Sequence, residues 1–357
     1  MKILQGFKNM MKIPQTKIGL VFAIFVPVFF MIVWMTGYNN ATERLDQLNV
    51  GIVNEDGASS KVIAEQIAKN SPFHVVAASE YDKAKEQLDK GKYAMLIVIP
   101  EKFAETMTDG SGELTFYVNE ANSQVAVSMM EKAAAEISAN LGAHSGVTAD
   151  IVKTNELHNF AASMLPMILG FITYIAVMTM NIQFNLVGQI MKKGHSKWQI
   201  FWSRQMLLLI VALVVPTIII SLTVAFQDVA ASFWKLWLFH VLVTATCISF
   251  TQMSFSLFGN AGPLFNVAMV PLQLMTAGNI IPANMLAPFY QHFGAFLPAS
   301  NGVQGFTKLI YTGESVSAFA VHLVLLLLVT FAITIIRLAA QKEKAVNPAL
   351  SAKQLAH

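Results

Sequence analysis

Long apolar runs without charge alternate with short basic loops along most of this 357-residue chain. Six runs free of Asp, Glu, Lys and Arg span residues 18–38, 160–182, 205–226, 236–258, 263–281 and 319–336. About 20 apolar helical residues cross a hydrocarbon core of about 30 Å, so each run predicts a transmembrane helix. A charge at a span's centre costs about 2.5–3.5 kcal/mol, and none of the six carries one. Residues 18–38 follow a basic start (Lys2, Lys8, Lys12, Lys17). The run is too long for a signal-peptide core and no small-x-small cleavage site follows it, so it reads as an uncleaved anchor.

Between the first two runs the pattern changes. Asn49 to Asn54 reads as a strand closed by the turn signal Glu55-Asp56-Gly57. Residues 59–69 place Val62, Ile63, Gln66 and Ile67 on one helix face. Phe73 to Ala77 reads as a second strand, and Ser79-Glu80-Tyr81-Asp82 resembles a capping box opening a helix through Lys90. Tyr93 to Ile99 is a continuous apolar run suited to a buried central strand, followed by Pro100 and a short helix from Glu101. Leu114 to Val118 predicts a fourth strand. Residues 121–159 are alanine-rich and predict helix with a break at 142–146. This alternation implies an α/β domain with an at least partly parallel sheet.

Composition supports the membrane reading. The chain is 55% hydrophobic and 13% charged, against about 25% charged in soluble domains. The mean hydropathy is +0.53. The single cysteine, Cys247, excludes a disulfide framework and a cysteine-based zinc or iron–sulfur site. The net charge of +3 hides two regions: residues 39–159 hold 10 Lys/Arg and 18 Asp/Glu, so the remainder is strongly basic.

With six spans both termini share a side. That side carries Lys2, Lys8, Lys12 and Lys17, then Lys192, Lys193, Lys197 and Arg204, then Arg337, Lys342, Lys344 and Lys353. The opposite short loops carry Lys235 and Lys308 alone. Basic short loops stay in the cytoplasm, while a long acidic segment translocates regardless of its charge. Both termini are therefore expected in the cytoplasm and residues 39–159 outside.

Candidate chemistry is sparse. His74, His144 and His158 lack metal-ligand spacing and read as solvated surface residues. No local signature marks a nucleophile–base pair. A phosphate cradle needs Gly-x4-Gly-Lys-Ser/Thr, and Gly91-Lys92 is the nearest fragment. The spans contain Asn181, Gln183, His240, Gln252, Asn266, Gln273 and Asn279 but no acid–base pair. Hydrogen bonding between helices is their default role. Ion-coupled carriers need intramembrane ionisable ligands, so that class is disfavoured. His240, near the outer end of its run, reads as solvated at the interface. Three prolines, Pro282, Pro288 and Pro298, punctuate apolar pieces of residues 282–305 that are too short to cross. They predict a re-entrant outer loop, whose irregular backbone must be buried in protein or wet.

Four segments together resemble type-2 ABC exporter permeases with a large extracytoplasmic domain, nearest the phage infection protein branch and its shorter permease relatives. They are the basic start Gly6 to Pro14, the strand and turn Val50 to Gly57, the segment Gly91 to Phe103, similar to a "GKYxAxxxIPxxF" pattern, and Pro288 to Gly305 with Leu297-Pro298-Ala299-Ser300-Asn301-Gly302-Val303. The resemblance implies a six-helix membrane fold with an α/β domain inserted between the first two spans. The divisions are a cytoplasmic N-terminal segment 1–17, a first span 18–38, an extracytoplasmic α/β domain 39–159, spans two to six over 160–338 and a cytoplasmic tail 339–357.

It also implies a bacterial cell-membrane permease subunit that exports a hydrophobic or amphipathic substrate and lacks its own ATP-binding motif. A separate ATP-binding cassette subunit would hold ATP, this chain would bind no cofactor, metal or nucleic acid, and a second copy or relative would complete the unit in membrane lipid. The candidate ATPase-coupling loop comprises Gln189, Lys192, Lys193, Gly194, His195, Ser196 and Trp198. Gln189 stands where the family carries a glutamate. Trp198 and Trp202, four apart, share a helix face. The candidate outer gate comprises Pro282, Pro288, Leu297, Pro298 and Asn301. A surface receptor or envelope-organising protein, binding a partner through the outside domain without transport, is the alternative reading.

Overall fold

A computed structural model describes residues 43–142, 146–155, 160–192 and 195–342. The expected N-terminal segment and first span, His144 and His158, and the tail from residue 343 lie outside the described residues. The described part forms an α/β region set against one end of a helical bundle.

The α/β region runs β1 (Asn49–Asn54), α1 (Lys61–Asn70), β2 (His74–Ala78), α2 (Tyr81–Asp89), β3 (Met95–Ile99), α3 (Phe103–Thr108), β4 (Glu113–Asn119), α4 (Gln124–Gly142) and β5 (Thr148–Thr154). The sheet order is β2-β1-β3-β4-β5. β1 pairs parallel with β2 and β3, β3 antiparallel with β4, and β4 parallel with β5. Every residue of β3 is buried, as its continuous apolar run predicts.

Two expectations fail here. The stretch 121–159 is not helical throughout, because β5 adds a sheet edge. Its Asp150 and Lys153 break the apolar alternation that would mark a strand. Pairing with β4 and ion pairs from Lys153 to Glu120 (2.9 Å) and Glu131 (3.1 Å) hold it instead. The capping box at Ser79 does not form either. α2 takes Glu80 as its N-cap with no side-chain cap bond. Glu80 pairs with Lys83 at 3.0 Å.

The turn after β1 organises the far side of the sheet. The Asp56 carboxylate accepts the Ser60 hydroxyl, the Lys102 backbone N–H (2.8 Å) and the Ala104 N–H (3.1 Å). It thereby satisfies donors at the start of α3, where intrahelical acceptors are missing. The Ser60 hydroxyl, followed by the Ala104 N–H, holds the Asp56 carboxyl below its ordinary pKa.

The bundle comprises α5 (Phe160–Met167), a π-turn over Ile168–Ile172, α6 (Thr173–Met191), α7 (Lys197–Phe226), α8 (Phe233–Phe258), α9 (Gly262–Thr276), α10 (Pro288–Gly294), α11 (Pro298–Thr307), a second π-turn over Lys308–Thr312 and α12 (Ser317–Ala340). Among the described residues four stretches are long and apolar enough to cross a membrane: Ala162–Met191, Lys197–Phe226, Phe233–Thr276 and Ser317–Ala340. The third contains the fourth expected run and most of the fifth, because α8 turns back into α9 at Gly259–Ala261 and Phe258 packs on Phe265 at 5.1 Å.

α9 is shorter than its apolar run. It stops at Thr276, whose carbonyl accepts the Ser300 hydroxyl (2.8 Å) and the Gln304 amide (3.1 Å) rather than a further helical turn. Fifteen residues rise about 22 Å, less than the hydrocarbon thickness.

α8 is the central element and packs against α6, α7, α9, α11 and α12. Its inward residues include His240, Thr244, Thr246, Ser249, Thr251 and Ser254, all buried. The Thr246, Ser249, Thr251 and Ser254 hydroxyls donate to α8's own carbonyls or to neighbouring helices, as buried polar groups in an apolar medium require. Ser249 and Thr330 hydroxyls meet at 2.7 Å, and Thr246 reaches the Leu323 carbonyl at 3.2 Å.

Candidate functional site

The end of the bundle that carries the candidate coupling loop collects the C-termini of α6, α8 and α12 and the N-terminus of α7. Ser196 caps α7: its hydroxyl accepts the Gln199 N–H at 3.3 Å, and the Gln199 side chain accepts the Ser196 N–H at 3.1 Å. This capping box starts α7 at Lys197, two turns before the uncharged run. Lys197 then donates to the Ala339 carbonyl (3.1 Å) and the Gln341 carbonyl, neutralising carbonyls left over at the end of α12.

A cavity of about 120 Å³ opens between these ends. Gln189 and Lys192 line it together with Lys197 and Arg204. The Gln189 amide also donates to Asn260 at 3.1 Å, tying α6 to the α8–α9 turn. Of the other expected loop residues, Lys193 and Gly194 lie outside the described residues, and His195, Ser196 and Trp198 do not line the cavity. Trp198 and Trp202 do share a face, and both pack edge-on against Phe201, at 6.2 and 5.1 Å.

Arg204 is the residue that sequence reasoning undervalued, having counted it only as a loop cation. Its Nη2 donates to the Asn181 side-chain oxygen Oδ1 at 2.6 Å. Asn181 in turn donates to the Thr251 hydroxyl (2.6 Å) and the Ile248 carbonyl (3.2 Å). Asn266 reaches the Thr251 carbonyl at 3.4 Å, and Tyr174 donates to the Asn266 carbonyl at 2.9 Å. One polar ladder therefore runs from the basic cavity through α6, α8 and α9. Asn181 and Arg204 lie 23 positions apart, and only the pairing of a span amide with a cation just outside the next span hinted at it.

At the opposite end, residues 282–305 fold as the short helices α10 and α11. Leu297, Pro298 and Asn301 are buried, and Pro288 opens α10 at its first position, where its missing N–H costs nothing. The Asn301 amide donates to the Ala295 and Leu297 carbonyls (2.9 Å each) and to the Gly294 carbonyl (3.3 Å). Its oxygen faces the His322 Nδ1 at 3.1 Å. Gln273 accepts the Ala299 N–H at 2.7 Å, capping α11 from α9.

α11 seats by close approach. A Cβ on Gly305 would lie 2.2 Å from the Phe239 ring, and one on Gly170 would lie 2.6 Å from the Val303 nitrogen. Small residues let helix backbones meet in this way. Pro282 stands apart from that core. It lines a cleft of about 180 Å³ with Gln304 and Lys308 on one side and Lys90 and Asn119 of the α/β region on the other. The region is fastened there, with Arg44 donating to the Met285 carbonyl at 2.7 Å and Asn284 donating to the Gln47 carbonyl.

His240 departs from expectation. It is fully buried rather than solvated, with Nε2 on the Thr173 hydroxyl at 3.0 Å and its ring against Phe306 at 5.4 Å. Docking of α11 over it removes it from water. His74 is exposed as expected and pairs with Asn49 at 2.9 Å. Gly91 and Lys92 form the turn into β3, and their N–H groups are spent on the Leu88 (2.8 Å) and Gln87 (2.9 Å) carbonyls. They are not arranged to cradle a phosphate.

A family model for ABC-2 family transporter proteins matches residues 17–339, most of the chain. The chain belongs to that family. Membership of this transporter family supports a permease role in the membrane. The chain is also similar to the uncharacterized protein YhgE of Bacillus subtilis (strain 168), at 24% identity over 175 residues. That match covers 47% of this chain and 22% of YhgE, so the chain matches less than a quarter of its relative's length. No solved structure matches the chain.

Proposed function

We propose that this chain is the membrane subunit of an ABC exporter, moving a hydrophobic or amphipathic substrate outward and driven by a separate ATPase subunit. The observation that carries the proposal is the family match across 17–339, on a bundle whose basic loop end and α/β end are opposed. Lys192, Lys197 and Arg204 make the loop end basic, which supports its cytoplasmic placement. The α/β region then stands outside the cell, fastened to the outer loop through Met285. A second copy or relative of this chain completes the transport unit, with both termini in the cytoplasm and the run 18–38 as the first span.

Coupling through the α6–α7 loop is tested by replacing residues 192–196 with a flexible linker in the reconstituted transporter. The expected result is loss of substrate-stimulated ATP hydrolysis with the bundle still folded. Wild-type transport by that variant refutes the coupling role.

A further inference from the structure

The basic cavity does not end at the loop. Below it, a groove of about 260 Å³ runs along the bundle surface between α7 and α12. Its walls are Trp202, Leu209, Ala212, Ile248, Leu327 and Phe331, almost entirely apolar. Gln252 lines both spaces, and the Phe201–Phe331 contact (6.1 Å) marks the boundary between them. The upper space holds Lys192, Lys197 and Arg204, and no acid lines it among the described residues.

Two buried donors at this junction lack partners among the described residues: the Arg204 Nε in the upper space and the Gln205 Nε2 in the groove. A buried donor left unpaired costs about 1–3 kcal/mol, so such groups mark where a missing acceptor belongs. The same end carries Trp198 and Trp202, residue types that settle at the membrane–water interface.

We infer that this composite site binds one anionic glycerophospholipid. Its phosphate sits among Lys192, Lys197 and Arg204, and an acyl chain lies in the α7–α12 groove. The charge complement selects the headgroup, and the groove selects a diacyl lipid over a soluble phosphate. Arg204 links the headgroup to the polar ladder through Asn181, so the bound lipid fixes α6 against α7. The inference needs only a membrane-embedded bundle and stands apart from the transport reading.

The test is native mass spectrometry of the full chain released from mild detergent, with phosphatidylglycerol or phosphatidylcholine added. The wild type is expected to retain one phosphatidylglycerol in clear preference to phosphatidylcholine. Lys192→Gln, at an exposed position, and Arg204→Gln should each lower the preference about fivefold, the effect of about one basic residue near an anionic lipid. Arg204→Lys should keep it. Ala212→Phe, which fills the groove, should reduce retention of both lipids. Equal retention of the two lipids by the wild type overturns the inference. So does an unchanged preference in both glutamine variants, or undiminished retention in Ala212→Phe. Loss of a co-purifying ATPase from the glutamine variants, with lipid preference intact, also overturns it and assigns the cations to an acidic protein surface.

Discussion

Removing the Asn301 amide should loosen the α10–α11 pair before it disturbs the rest of the bundle. In Asn301→Ala three carbonyls, those of Gly294, Ala295 and Leu297, lose a side-chain donor, and the His322 ring loses its acceptor. Gly294 and Leu297 keep backbone partners, from the Leu297 and Asn301 N–H groups respectively, so the loss is felt most at Ala295 and His322. A buried polar group left unsatisfied costs about 1–3 kcal/mol. One wholly orphaned group and one weakened one put the expected destabilisation at about 2 kcal/mol.

Asn301→Asp should be worse, since it sets a carboxylate among carbonyl oxygens while keeping the side chain's volume. The assay is thermal unfolding in detergent, read by intrinsic fluorescence, alongside limited proteolysis of the 282–297 segment. Alanine and aspartate variants should melt earlier in that order, with the first new cleavage in this segment. A double-mutant cycle with His322→Ala should show coupling of about 0.5–1.5 kcal/mol. An alanine variant with unchanged melting and cleavage would refute the view that Asn301 clamps the α10–α11 turn.

Three further outcomes follow from the same geometry. Gly305→Val drives a side chain into the buried Phe239 ring, which is pinned edge-on by Phe306 at 5.0 Å, and overpacking of this kind should cost about 1–3 kcal/mol in the same melting assay. Asp56 has a folded pKa below its unfolded value, so its contribution is present above the unfolded pKa and fades as pH falls through the folded one; acid unfolding of the α/β region should be less pH-dependent in Asp56→Asn, which circular dichroism at descending pH can measure. Cys247 is fully buried, so a membrane-impermeant maleimide on whole cells should label Glu101→Cys and neither the parent chain nor Lys342→Cys.

Much of the architecture could be read from charge-free runs and strand patterning. The expected second, third, fourth and sixth spans fall on α5–α6, α7, α8 and α12, because excluding charge from a helix centre is a coarse but strong constraint. β1, β3 and β4 were equally legible from their apolar runs. Pro282, Pro288 and Pro298 revealed that 282–305 could not be a simple crossing, although its packing into paired helices around Asn301 depends on contacts with α9 and α12.

Failures cluster where tertiary contact overrides local pattern. β5 is an edge strand whose charged residues are satisfied by neighbours distant in sequence. Arg204 escaped because a scan for uncharged residues discards the cations that a folded bundle takes inside. His240 was misread because position along a span says nothing about which element covers it.

This ABC-2 protein is proposed to work with a separate ATPase subunit. Affinity purification of the tagged full chain from its own membranes in mild detergent tests it most directly. A nucleotide-binding protein should arrive at one-to-one stoichiometry and hydrolyse ATP in the complex. Recovery of a folded chain that brings no nucleotide-binding protein, from membranes where it is fully expressed, would contradict the claim.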